Sequence, residues 1–162
     1  ADANAHVAMV GLGTGSVSCY ANKGQRLTYY EIDPAVRRII EPPRVVMHPQ
    51  EVAEGKPPVM GPFTYVDDAR KRGAEIDFRM GDARLKLKED TERKYAMLLV
   101  DAFSSDSIPV HLLTREAVAL YVSKLAPNGV IAMHVSNNHL DLPPLIRRLA
   151  DDHSPKLAVR DC

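Results

Sequence analysis

The chain has 162 residues, and its 21 Lys and Arg residues are balanced by 21 Asp and Glu residues, so the formal net charge is zero. Hydrophobic residues make up 45% and charged residues 26%, which is ordinary for a globular protein. This balance excludes a global basic field of the kind that attracts nucleic acid or anionic lipid. No apolar run approaches the length of a membrane span. We therefore expect no nucleic-acid partner and no membrane contact from this chain.

The two cysteines, Cys19 and Cys162, do not form a disulfide framework, and no signal-peptide pattern is visible. Both observations favour a reducing, cytoplasmic location. The first predicted strand begins almost at the first residue, and the closing stretch "KLAVRDC" has the pattern of another strand. We therefore expect one domain over residues 1–162, truncated at both ends.

The predicted elements alternate between strands and helices along the chain. Strands are predicted over 6–10, 26–32, 75–80, 95–101 and 130–136, and helices over 16–22, 34–40, 66–72, 83–89, 114–125 and 142–152. A surface loop over 41–62 contains six of the twelve prolines. The alternation predicts an α/β, Rossmann-like, doubly wound fold with a mainly parallel sheet.

A glycine-rich loop, "GLGTGS", follows the first strand. The dinucleotide fingerprint requires a further glycine at position 16, where this chain has Ser16. We interpret the loop as one that suits an adenosyl ligand without phosphates. Glu31 lies twenty residues after Gly11, at the end of the second strand, where a carboxylate can accept hydrogen bonds from ribose hydroxyls. The alternative is a tight strand-to-helix turn with a solvent-facing Glu31.

Other acids follow the third and fourth strands. Asp82 is placed to contact the exocyclic amine of adenine, with the amide of Ala83 beside it, and its alternative role is that of a helix N-cap. Asp101 ends the most hydrophobic strand, and Asp106 follows in a serine-rich loop. Two carboxylates there would attract a cationic amine and deprotonate it, unless they merely cap loops. Because ligands bind beyond the carboxyl ends of parallel strands, these groups should converge.

These motifs resemble the spermidine synthase family of aminopropyltransferases, which is built on the class I methyltransferase fold. The resemblance covers nearly the whole chain and is closest to bacterial spermidine-synthase-like domains, some of which are fused to a membrane transporter domain. It is carried by the glycine loop, "YYEID", "GDARLKL" and "VDAFSSDSIPVHLLTREAVALYVSKLAPNGVIAMHVSN". It implies transfer of an aminopropyl group from decarboxylated S-adenosylmethionine to a polyamine such as putrescine, without a metal, in a homodimer.

The resemblance also implies residue roles. Asp101 would be the base that deprotonates the attacking amine, and Asp106 would help to bind that amine. Separately from the resemblance, we interpret His111 as a substrate-binding residue that lines the amine pocket, with a solvent-facing side chain as the alternative. The residues implied to hold the adenosyl ligand are Gly11, Gly13, Thr14, Gly15, Glu31, Asp33, Asp82 and Ala83. We interpret His134, within an apolar predicted strand, as a core or pocket-lining residue.

Thr14 keeps two alternatives open. Typical aminopropyltransferases carry an aspartate at this position, which pairs with the amine of the decarboxylated donor and repels the carboxylate of ordinary S-adenosylmethionine. Thr14 has neither effect, so a methyltransferase that uses S-adenosylmethionine is the second hypothesis. A non-catalytic adenosyl-binding domain is the third.

Overall fold

The computed structural model describes residues 4–41, 62–91, 94–102, 109–136 and 141–160. The strands are β1 (His6–Val10), β2 (Arg26–Glu31), β3 (Glu75–Met80), β4 (Tyr95–Val100) and β5 (Leu125–Met133). The helices are α1 (Pro34–Ile40), α2 (Tyr65–Lys71), α3 (Ala83–Glu89), α4 (Arg115–Ser123) and α5 (Leu142–Asp152). Two short 3₁₀ helices occupy Ser16–Tyr20 and Val110–Leu112.

The five strands form one sheet in the order β3-β2-β1-β4-β5, and every neighbouring pair is parallel. The order reverses direction at β1, which lies between β2 and β4. This is the doubly wound α/β arrangement that the alternation of strands and helices predicts, and the fold prediction is confirmed. In such a sheet the crevice for a ligand lies beyond the carboxyl ends of the strands on either side of the reversal.

Three of the five helices in the described ranges begin at a residue whose side chain caps them. Asp33 accepts a hydrogen bond from the amide of Ala35 at 2.7 Å, and Pro34 occupies the first turn of α1. Asp82 and Thr114 cap α3 and α4 in the same way. These caps satisfy amides that have no acceptor within the helix. The caps at Asp33 and Asp82 therefore fix the starts of α1 and α3 just after the ends of β2 and β3.

The sheet separates two layers of apolar side chains. Tyr29 and Tyr30 are both buried, and because neighbouring residues of a strand face opposite ways, each belongs to a different layer. Helices α1 and α2 pack on the layer that contains Tyr29, and α3, α4 and α5 pack on the layer that contains Tyr30. No helix within the described ranges is both long enough and apolar enough to cross a bilayer.

Two predicted elements differ from the structure. The helix expected over 16–22 is a single 3₁₀ turn over Ser16–Tyr20, consistent with its Ser, Val, Cys and Tyr residues, which are weak helix formers. Arg72 then holds this turn by donating to the carbonyl oxygens of Ser18 at 2.9 Å and Cys19 at 3.2 Å.

The last strand also starts earlier than predicted. β5 begins at Leu125 and ends at Met133, and the expected turn over 126–129 lies inside it as an irregularity in the pairing with β4. Asn128 has a φ of 61°, and a Cβ on Gly129 would lie 2.8 Å from the carbonyl oxygen of Tyr95, so this bend requires glycine. Residues 156–160, expected to start another strand, form none. Of the proline-rich loop predicted over 41–62, residues 42–61 lie outside the described ranges.

Candidate functional site

The residues that follow the strands form a row along the carboxyl edge of the sheet. Their backbone amides continue the strand pairing, with Gly81 donating to Glu31, Gly11 to Tyr30, Asp101 to Val10 and His134 to Val100 at 2.8 to 2.9 Å. The row therefore follows the strand order, from Asp82 beside Glu31 to Asp101 beside His134. The structure brings the glycine loop, Glu31, Asp82 and Asp101 to one edge.

The glycines of the loop have different surroundings. A Cβ on Gly11, whose φ is 99°, would lie 2.3 Å from the carbonyl oxygen of Asp101, so glycine lets β1 leave the sheet against the end of β4. Gly15 is packed against Val66, its ideal Cβ lying 3.2 Å from that side chain. Gly13 is exposed, and its ideal Cβ would meet no atom of the described residues within 4 Å. Gly13 is therefore the point where a ligand can approach the backbone.

Glu31 holds the glycine loop to the end of β2. Its side-chain oxygens accept hydrogen bonds from the amide of Leu12 at 2.9 Å and the amide of Asp33 at 2.8 Å. The residue is only 8% exposed, so the alternative of a solvent-facing Glu31 is wrong. Each carboxylate oxygen has a second lone pair, so the group retains the capacity to accept ribose hydroxyls. The open approach at Gly13 and this carboxylate fit an adenosyl ligand.

The buried side chain of Tyr29 contacts the glycine loop and the 3₁₀ helix that follows it. The hydroxyl of Tyr29 lies 2.7 Å from Oγ of Ser18 and donates to the carbonyl oxygen of Gly15 at 3.2 Å. Burial raises the pKa of Tyr29 to about 12, because the phenolate would lose its hydration. Sequence reasoning assigned no site role to Tyr29 or Ser18. The only indication in the sequence was the position of Tyr29, an aromatic residue two positions before Glu31 in a strand adjacent to the loop.

Asp82 combines its cap with a second contact. One side-chain oxygen accepts from the amide of Leu85 at 3.1 Å, and the other lies 3.2 Å from Nε2 of His111. Ala83 is buried at the first position of α3, where its amide has no acceptor within the helix. His111 therefore lies beside Asp82, the residue expected to contact adenine, whereas the sequence interpretation places it in the amine pocket.

A shallow cavity of about 540 Å³ opens beside His111 between α3 and α4. Its lining includes Arg84, Lys88 and Glu116, together with Asp82. It adjoins the end of the row that contains Asp82. Thr14 is exposed in the glycine loop, and Asp33, which caps α1, is exposed as well.

Asp101 has a histidine partner. Its Oδ1 lies 2.7 Å from Nδ1 of His134, and the two side chains are 36% and 50% exposed. Of the two alternatives for His134, core or pocket-lining, the core alternative is wrong, because the strand ends at Met133 and the side chain is exposed. The lateral register explains the contact: Val100 pairs with Met133, so the next residues of β4 and β5 are neighbours. Asp106 lies outside the described residues.

Within the described ranges, no three His, Cys, Asp or Glu side chains are grouped so that they could hold a metal ion. The edge brings together exposed backbone, carboxylates and the imidazoles of His111 and His134, which are groups that can bind a ligand. A neutral ligand portion can lie on the glycine loop, and a cationic portion can lie near Asp101 and His134.

Comparison with solved structures identifies the fold class. The chain is similar to human methyltransferase-like protein 13, solved in complex with SAH, at 15% identity and a TM-score of 0.60. It is also similar to a probable spermidine synthase from Corynebacterium glutamicum ATCC 13032, at 19% identity and a TM-score of 0.57. A third similar structure is MNMC2 from Aquifex aeolicus, at 18% identity and a TM-score of 0.53.

The alignments cover 91%, 92% and 90% of this chain but only 61%, 46% and 47% of those three proteins. The sequence matches no protein-family model and no curated protein at a significant level. At these identities the likeness shows the fold alone. The chain has the Rossmann-like α/β fold of the S-adenosylmethionine-dependent methyltransferases, a fold that the spermidine synthase structure shares.

Proposed function

We propose that this chain binds an adenosyl sulfonium and catalyses transfer of an aminopropyl group from decarboxylated S-adenosylmethionine to a polyamine, as in spermidine synthases. One observation carries the proposal. The acid that follows β4, Asp101, lies directly beside the glycine loop, in backbone contact with Gly11. A ligand whose nucleoside rests on the loop would therefore present its reactive end close to a carboxylate that attracts a cationic amine.

In the proposed reaction, each residue along the sheet edge would have a separate binding role. Gly13 would admit the ligand to the loop backbone, Glu31 would hold the ribose, and Asp82 with the amide of Ala83 would bind adenine. Asp101 would bind the amine and hold it in line with the carbon it attacks, which is where positioning contributes most to the rate. The sulfonium, when bound, supplies a carbon with a good leaving group.

Methyl transfer from ordinary S-adenosylmethionine is the second candidate. Thr14 favours it, because an exposed neutral side chain in the loop neither pairs with the amine of the decarboxylated donor nor repels a carboxylate. The same amine and the same acid would serve that reaction. A binding domain without catalysis is the third candidate, and binding without any product would favour it.

A product assay by mass spectrometry tests the proposal. The protein is given ordinary or decarboxylated S-adenosylmethionine with a mixture of polyamines. Methylthioadenosine together with a lengthened polyamine is the expected result. S-adenosylhomocysteine with a methylated amine would replace aminopropyl transfer by methyl transfer.

Asp101→Asn tests the role of the acid in the same assay. We expect turnover to fall by roughly 10²-fold or more, because the amine loses the carboxylate that holds it in line, while affinity for methylthioadenosine changes by less than about threefold. Asp151→Asn makes the same chemical change on an exposed residue of α5 and should leave both quantities unchanged. Unaltered turnover in Asp101→Asn would remove Asp101 from the mechanism.

A further inference from the structure

We infer that the proton of the attacking amine is accepted by the imidazole of His134, and that Asp101 orients this imidazole. The inference rests on the proposed function, because it requires an amine that attacks an adenosyl sulfonium. It holds for aminopropyl and methyl transfer alike, since the nucleophile is an amine in both. The resemblance implies that Asp101 is the base, and the inference gives that role to His134 instead.

The contact that carries the inference is built by the sheet. The amide of His134 donates to the carbonyl oxygen of Val100 at 2.9 Å, so the backbone that bears the ring is fixed beside the end of β4. Nδ1 of His134 then lies 2.7 Å from Oδ1 of Asp101, the length of a strong charge-assisted hydrogen bond. The ring is the more exposed member of the pair, so it is the one a substrate reaches more readily.

The chemistry of the two groups assigns their roles. An ionised carboxylate is only an acceptor, so Nδ1 of His134 must carry the hydrogen of this contact. In the neutral ring Nε2 is then the basic nitrogen, and it is the atom that would receive a proton. Imidazole as a class is a stronger base than carboxylate and is better matched to an ammonium donor near neutral pH. A carboxylate behind the ring stabilises the imidazolium that forms, as in other Asp–His pairs.

The step balances without a further reactant. The nitrogen lone pair of the amine forms the new N–C bond, and the electrons of the C–S bond pass to sulfur, which leaves as a neutral thioether. The proton released from the amine nitrogen goes to Nε2 of His134. The positive charge of the sulfonium thus ends on the imidazolium, next to the carboxylate of Asp101.

The test compares His134→Asn, Asp101→Asn and the double variant in the product assay. Asparagine keeps a short amide that can donate to Asp101 but cannot take a proton. We expect His134→Asn to lower turnover by roughly 10²-fold or more with methylthioadenosine affinity within about threefold. The double variant should be no slower than the slower single variant, because the two residues act as one unit. His153→Asn, on a partly exposed histidine that follows α5, is the matched control.

Rescue and spectroscopy separate catalysis from a structural role. Added imidazole should restore part of the turnover of His134→Ala and none of that of Asp101→Asn. In ¹⁵N spectra of the wild type, the neutral ring of His134 should carry its proton on Nδ1, and Asp101→Ala should abolish that preference. A proton on Nε2 in the wild type would overturn the assignment.

The remaining outcomes also decide. Wild-type turnover that survives in His134→Asn within a few-fold but not in Asp101→Asn would make the carboxylate the base and overturn this inference alone. If the wild type forms no product with any donor and amine, the proposed function fails and the inference fails with it.

Discussion

At the scale of single residues, the glycine loop contains two glycines with different steric surroundings. Gly11 is confined by the backbone of Asp101, whereas Gly13 faces open space within the described part of the chain. Both have positive φ, 99° and 52°, which L side chains rarely adopt. The spacing of the motif in the sequence does not distinguish these roles, because the partner of Gly11 is more than eighty residues away.

Alanine at the two positions should therefore have different effects. Gly11→Ala combines backbone strain with a clash, and we expect it to lower the free energy of unfolding by about 3 kcal/mol or more. Gly13→Ala should cost about 1 kcal/mol, the cost of a left-handed alanine, but should weaken methylthioadenosine binding by roughly tenfold. Thermal unfolding and calorimetric titration measure both. Equal stability losses with equal affinities would refute the distinction.

At the scale of elements, the turn after β1 depends on the strand beside it. The 3₁₀ helix Ser16–Tyr20 is short and is held by two groups from other elements. The Tyr29 hydroxyl on β2 bonds to the side chain of Ser18 and to the carbonyl oxygen of Gly15, just before the helix. The Arg72 guanidinium after α2 donates to the carbonyl oxygen of Ser18. Composition predicts a weak helix here, but the two groups that hold the turn come from other elements. The sequence therefore predicts that an element exists and leaves its type to tertiary contacts.

The buried Tyr29 hydroxyl makes stability depend on alkaline pH. The folded-state pKa of about 12 lies above the ordinary value of 10.0, so the folded protein retains this proton where the unfolded chain loses it. The Tyr29 hydroxyl therefore makes its full contribution to the free energy of unfolding below pH 10. This contribution, about 3 kcal/mol for a shift of this size, is lost as the pH rises through 12. Tyr29→Phe should therefore make the free energy of unfolding depend less on pH between pH 10 and pH 12.

Urea denaturation between pH 7 and pH 11.5 measures the effect. Tyr29→Phe should lose about 1 kcal/mol at pH 7, because the contacts with Ser18 and Gly15 disappear, and should fall less steeply above pH 10. Tyr121, whose pKa is also raised by burial, leaves part of the alkaline loss in place. The exposed Tyr20→Phe is the control. A parallel decline in Tyr29→Phe would assign the alkaline loss to other groups.

At the scale of the whole molecule, the described sheet has an apolar area on one face over β4 and β5. Met97 and Val130 are neighbours in the pairing of these strands and are 36% and 57% exposed. Helices α1 and α2 pack on the same face but over the other strands. Exposed apolar side chains on adjacent strands favour association.

We therefore expect the homodimer implied by the resemblance to form through this face. Val130→Lys should shift sedimentation toward the monomer, with the change largest at low protein concentration. Leu145→Lys, which changes an exposed leucine on α5, should leave the distribution as in the wild type. A wild-type chain that sediments as a monomer at all concentrations would contradict the expectation.

Most of the fold follows from the sequence because it depends on local patterns. Apolar runs alternating with capped helices are sufficient to predict the five parallel strands and the edge where Glu31, Asp82 and Asp101 meet. The bend at Asn128 and the pairing of His134 with Asp101 depend on lateral register between β4 and β5, and no local pattern reports it. A strand predicted to start at 130 and end at 136 placed His134 inside the sheet instead of at its edge.

The contact between Gly11 and Asp101 has a consequence for how the two substrates of the proposed reaction would share the protein. Because the backbone that would carry the nucleoside touches the backbone that carries the acid, a shift of one must be accommodated by the other. Interiors packed this closely transmit small displacements. We therefore expect thermodynamic coupling between the two ligands, so that the affinity for the amine depends on whether the donor is already bound, and by reciprocity the affinity for the donor depends equally on the amine.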